Sequence, residues 1–152
     1  MAQSFNLGLD TAFQRSVVQL EKNILAMLDT GALFPVWVAS EENLKALGGV
    51  KISDSVSFGG LGGKLNGKVY RLDEFKVGDL VYRPLNIVVT KLIGNEPTVH
   101  MLLSATMFSD LKYEIDNKRH LMTVTIPDGE SLERRVIVQD NGTQWQVLAG
   151  SV

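Results

Sequence analysis

The apolar residues of this chain arrive in short runs, each cut off within a few positions by glycine, proline, asparagine or aspartate. No run reaches the ~20 residues that a membrane-spanning helix needs, and none carries a helical period beyond about two turns. Ser16–Leu20 and Asn23–Leu28 read as two strands joined by a tight turn at Glu21-Lys22. Asp29-Thr30-Gly31 is a turn triplet directly after the second of these runs. Leu33–Val38 is apolar again, and Pro35 within it argues for an edge or an irregular start. Further strand-like runs fall at Val56–Phe58, Lys68–Leu72, Phe75–Val77, Leu80–Tyr82, Ile87–Val89, Val99–Leu103, Leu121–Ile126, Arg135–Gln139 and Thr143–Leu148. Asn141-Gly142 between the last two is the strongest short hairpin signal in the sequence.

Two short helices interrupt this pattern. Ser40 is placed to cap the first, with Glu41 and Glu42 in its first turn, Leu44 and Leu47 on one face, and Gly48-Gly49 as its stop. Thr106 is placed to cap the second, with Met107, Phe108 and Leu111 on its apolar side. The expected class is all-β, a barrel or sandwich-like domain with glycine-rich turns.

Composition narrows the chemistry. At 152 residues and 45% hydrophobic content, the chain suffices for one domain that buries roughly two-thirds of its unfolded surface. It has no cysteine, which excludes disulfides, a thiolate nucleophile and cysteine-ligated metals. Fifteen basic residues against seventeen acidic ones give a net charge of −2, so neither nucleic acid nor an anionic membrane is an expected partner. The first residues lack a basic start and a continuous apolar core, and a cytoplasmic protein is the expectation.

The most specific local pattern is Leu28-Asp29-Thr30-Gly31-Ala32: an apolar strand delivers an aspartate, two small residues follow, and a second apolar run begins at once. This pattern resembles the catalytic loop of the retropepsin-like aspartic proteases, the clan of retroviral proteases and their cellular relatives. Other segments match in order. Ser16–Leu28 looks like the first hairpin, and Phe58-Gly59-Gly60-Leu61-Gly62-Gly63 resembles the family's glycine-rich flap. Met101-Leu102-Leu103 with the short helix after it resembles the apolar-apolar-glycine element. The resemblance implies a closed or partly open β-barrel of the acid-protease type, with two short helices and a flap hairpin. It spans 16–126, with an N-terminal arm at 1–15 and a β-hairpin extension at 127–152.

Two positions depart from the pattern. Ser104 stands where the family has glycine, which bears on local backbone geometry. Leu33 and Ala105 stand where retroviral members often carry a mutually paired aspartate and arginine. Losing both members of an ion pair is far less damaging than stranding one.

The chemistry implied is hydrolysis without metal or cofactor. One carboxylate accepts a proton from water while a second, protonated one donates to the carbonyl oxygen. Two carboxylates a few ångströms apart cannot both ionise, so they share one proton. The chain has a single Asp-Thr-Gly, so the resemblance implies a homodimer with Asp29 from each subunit, supported by Thr30, Gly31 and Ala32. The implied partner is a peptide or protein substrate bound in extended form beneath Phe58–Gly63, with Leu33, Leu61 and Leu85 as candidate apolar walls. A catalytically inactive dimeric peptide-binding module on the same fold is the alternative.

Other features have simpler readings. Leu9-Asp10-Thr11-Ala12 lacks the glycine and the preceding strand. Gly62-x4-Gly67-Lys68 nearly spells a phosphate loop, but Val69 follows and the next stretch reads as strand. His100 and His120 lack zinc-ligand spacing, Trp37 and Trp145 read as core or interface, and Glu130–Arg135 reads as a solvated charge run.

Overall fold

A computed structural model describes residues 2–10, 16–60, 63–90, 99–140 and 145–152. Along them lie strands β1 (Gln3–Gly8), β2 (Val17–Gln19), β3 (Leu25–Asp29) and β4 (Val36–Trp37), then helix α1 (Glu41–Ala46). Next come β5 (Val50–Gly60), β6 (Gly63–Leu72), β7 (Phe75–Val77), β8 (Leu80–Val89) and β9 (Met101–Ser104). The chain ends with β10 (Lys112–Asp116), β11 (Leu121–Ile126), β12 (Glu133–Asp140) and β13 (Trp145–Ser151).

The strands form two sheets. A ten-stranded sheet runs β13-β12-β8-β4-β9-β3-β2, with β6 and β7 also paired to β8, and β5 to β6. A three-stranded sheet runs β1-β11-β10. The residues expected as an N-terminal arm thus supply β1, which pairs antiparallel with β11 from Gln3–Ile126 to Gly8–Leu121. Among the described residues the larger sheet is open, and its end strands β13 and β2 do not pair with each other. The fold is therefore all-β without the closed form of barrel.

Strand β8 is the hub. It takes β7 along Leu80–Tyr82, β6 along Leu85–Val89, β12 in parallel along Val81–Leu85, and β4 in parallel at Val88–Val89. Burial on every side is why Leu80, Tyr82, Leu85 and Ile87 are inaccessible to solvent. They join Trp37, Tyr70, Leu72, Met101, Leu103, Met107 and Val136 in the main core. Each aliphatic side chain of that size contributes about 1.5–3 kcal/mol on burial.

Of the two readings of Pro35 the irregular start holds and the edge does not: β4 begins only at Val36, inside the sheet between β8 and β9, and the Pro35 carbonyl just before it accepts from Val88 N at 3.0 Å. Two other local expectations need correction. The second helix is only a 3-10 turn over Ala105–Phe108: Thr106 lies inside it instead of capping it, and it ends where Ser109 turns extended (φ −52°, ψ 129°). The Glu130–Arg135 run is not wholly solvated, since strand alternation turns Arg134 inward with Val136 and Val138, and it is fully buried. Its guanidinium bonds to the Ser109 carbonyl and to Ser151 Oγ (3.2 Å), and lies 3.7 Å from Glu130 Oε2. Its Nε has no partner among the described residues.

The first helix follows its sequence signals. Ser40 Oγ accepts from Asn43 N at 3.2 Å, and Leu44 is its buried contact. Gly67-Lys68 lies within β6 with no helix after it, so the near-phosphate-loop spelling has no cradle. The Asn141-Gly142 hairpin signal falls on residues outside those described.

Gly78, in the two-residue turn joining β7 and β8, has φ +59°, and a Cβ there would fall 2.2 Å from Phe5 Cε2. Gly129 shares the positive φ (+90°) but would meet nothing within 4 Å. Gly129→Ala is therefore expected to cost about 1 kcal/mol from backbone strain alone. Gly78→Ala should cost about 1–3 kcal/mol more, because the Phe5 ring must also move. Urea unfolding midpoints of the two variants measure the difference.

Candidate active site

The Asp29 loop is set by an unusual strand order. β9 lies between β3 and β4, parallel to β3 and antiparallel to β4. The chain leaving β3 at Asp29 must therefore cross the end of β9 before it enters β4 at Val36. Asp29 pairs in register with Ser104, the last residue of β9.

The loop is closed by its own hydrogen bonds. Asp29 Oδ1 accepts from Gly31 N at 3.1 Å, and the Asp29 carbonyl accepts from Ala32 N at 3.1 Å. Asp29 is half-buried, while Thr30 and Gly31 are exposed. The Thr30 hydroxyl and Asp29 Oδ2 have no hydrogen-bond partner among the described residues. One carboxylate oxygen thus orients the loop, and the other is engaged by no described residue.

The other sequence-derived site residues divide. Phe58, Gly59, Gly60 and Gly63 lie in the β5–β6 hairpin, whose backbone pairs Phe58 with Leu65, Gly59 with Lys64 and Gly60 with Gly63. Leu61 and Gly62, between the strands, lie outside the described residues. Leu33 is 68% exposed at the end of the Asp29 loop. Leu85 is not a wall: it pairs with Leu72 across the β6–β8 ladder and is wholly buried.

Ser104 needs no special backbone freedom. Its φ of −86° and ψ of 156° are ordinary strand values, so serine fits where glycine was the expectation. His100 has a structural role in which its Nδ1 accepts from Leu25 N at 3.0 Å. Trp37 is core, with Nε1 donating to the Ser40 carbonyl at 2.9 Å.

Sequence reasoning missed a polar cluster at the root of the glycine-rich hairpin. Glu41, in the first turn of α1, accepts from Lys68 Nζ and from Tyr70 OH, both at 2.7 Å. Nothing in the local pattern links residues 27 and 29 positions apart. The Lys68 and Tyr70 hydrogen bonds hold the Glu41 carboxyl below its usual range. Burial, and then the Glu41 carboxylate, push the Tyr70 hydroxyl up to about 12.

A family model for aspartyl proteases matches residues 15–107, which include the Asp29 loop, the glycine-rich hairpin and β9. The chain belongs to this aspartyl protease family. Neither the curated proteins nor the solved structures contain a match to it. No helix among the described residues is long and apolar enough to cross a membrane.

The Tyr70 shift fixes the sign of an alkaline effect. A hydroxyl whose folded-state value is raised stabilises the fold fully below the ordinary value of 10.0, and that contribution is lost as pH climbs through about 12. Tyr70→Phe should therefore flatten the decline of stability with pH above 10, read from urea midpoints across that range.

Proposed function

We propose that the chain is a homodimeric aspartic endopeptidase in which Asp29 of each subunit contributes one half of the catalytic pair. The observation that carries this reading is the Asp29-Thr30-Gly31 loop. It stands at a strand end, inside the segment matched by the family, with a carboxylate oxygen and a threonine hydroxyl that have no partner among the described residues. One carboxylate alone cannot act as base and acid in the same step, so the second belongs to a second copy across a two-fold axis.

In this mechanism the two Asp29 carboxyls share one proton. The ionised one takes a proton from water as its oxygen attacks the peptide carbonyl carbon, and the protonated one donates to the carbonyl oxygen. Collapse of the tetrahedral diol breaks the C–N bond, and the amine leaves with a proton returned by the pair. The exposed Thr30 hydroxyl would bond to the opposite loop's backbone, joining the two halves. The Phe58–Gly63 hairpin would act as the flap, closing over an extended peptide and excluding water. Leu33 supplies an apolar contact to the substrate side chains.

Asp29→Asn should lower peptide hydrolysis by about a thousandfold or more while leaving the unfolding midpoint close to that of the parent. Activity retained in that variant would exclude the mechanism. A statine-type inhibitor, whose hydroxyl occupies the position of the attacking water, should bind the dimer and be displaced by substrate peptide. Sedimentation giving a monomer at concentrations where hydrolysis is measured would remove the shared-site reading. A dimer that binds peptide without cleaving it would leave a binding module in its place.

A further inference from the structure

Two hydroxyls lie where the Asp29 loop crosses the end of β9. Ser104, in register with Asp29, is fully buried, and its Oγ lies 2.8 Å from Thr106 Oγ1. Thr106 Oγ1 lies in turn 2.6 Å from the carbonyl oxygen of Leu33, at the far end of the loop. A carbonyl oxygen can only accept, so the single Thr106 proton goes to Leu33. Thr106 must then accept from Ser104, and the direction of the whole chain is fixed: Ser104 to Thr106 to Leu33.

We propose that Ser104 and Thr106 are positioning residues for the reaction, a two-hydroxyl relay that pins the Leu33 carbonyl and so sets the loop bearing Asp29. The proposal rests on the reading of Asp29 as catalytic. The loop's own bonds, Gly31 N to Asp29 Oδ1 and Ala32 N to the Asp29 carbonyl, tie its first four residues to one another but not to the sheet. The relay links the next residue to the end of the neighbouring strand. It also fixes where the exposed Leu33 side chain is presented, so the same contact governs carboxylate placement and the nearest apolar substrate contact. Because the relay is uncharged, it needs neither an ion pair nor the desolvation that a buried one entails.

The relay can be separated from ordinary stability. Thr106→Val removes the bond to Leu33 and leaves the buried Ser104 hydroxyl without its acceptor, so it should lower both stability and loop order. Adding Ser104→Ala removes the stranded hydroxyl, so the double variant should regain much of the stability but none of the loop order. Thr106→Ser keeps the hydroxyl and should restore both. The readouts are the urea midpoint, amide exchange at Gly31 and Ala32, and kcat and KM for a peptide substrate. We expect Thr106→Val and the double variant to exchange those two amides about tenfold faster than the parent. Their kcat should fall by about ten- to a hundredfold, with a smaller change in KM.

Parent-like exchange and kcat in Thr106→Val would overturn the proposal. So would a double variant in which both recover together with stability. If the parent protein hydrolyses no peptide, the catalytic reading fails, and amide exchange at Gly31 and Ala32 alone decides whether the relay holds the loop.

Discussion

The placement of β9 between β3 and β4 is the constraint from which the candidate site follows. Had β3 and β4 been neighbours, Asp29-Thr30-Gly31 would be the tip of an ordinary hairpin, held only by its own ladder. With a strand between them, the connection has to arch over the end of β9, and the aspartate is delivered at the edge of a parallel pair. The backbone groups of such an arch lie beyond the sheet ladder and need partners of their own. The Asp29 carboxylate, the Asp29 carbonyl and the Thr106 hydroxyl supply them.

That arrangement is steady only because β8 holds the rest of the sheet against it. β4 is two residues long and could not persist alone, yet it has β8 on one side and β9 on the other. β12 joins β8 in parallel with a shift of register between Arg134 and Val136. The buried Asn86 side chain takes up a backbone donor close to this irregularity, accepting from Val138 N at 2.9 Å. Arg134 is the costly element of this seam. It bonds the chain just after the 3-10 turn to the final hairpin, but one of its buried donors has no partner among the described residues.

The sequence made some levels of this structure readable and left others closed. Alternation and turn residues locate most strands, since they depend on neighbours one or two positions away. Ser40 reveals its cap for the same reason. The Asp-Thr-Gly loop is legible because its residues are contiguous and the apolar strand before it is short. Which strand lies beside which is not written locally. The interior position of β4, the burial of Leu85 and the inward turn of Arg134 all follow from pairings with distant segments. Pro35 marked an irregular strand start but could not exclude an edge, and a run of charges pointed outward because its usual setting is the surface. The Ser104–Thr106 contact was hidden differently: the residues are two apart, but the Leu33 carbonyl, which accepts from Thr106 and completes the relay, lies 73 positions away in the chain.

The reliance of β8 on β12 also orders events in time. Asn86 and Val138 are 52 residues apart, and the parallel β8–β12 ladder offers no local hairpin to start from. Until β12 arrives, the inner face of Tyr82 and Leu85 has only part of its cover, and the β3–β9–β4 arch rests on an unfinished support. During synthesis the segment bearing the aspartate is therefore complete in sequence long before its setting is complete in structure. Closing so distant a pairing carries a loop-entropy cost that slows folding. The β3–β9 ladder that seats Asp29 joins Ala26 to Met101, a still longer separation, so the aspartate loop has its full support only after these distant segments have met.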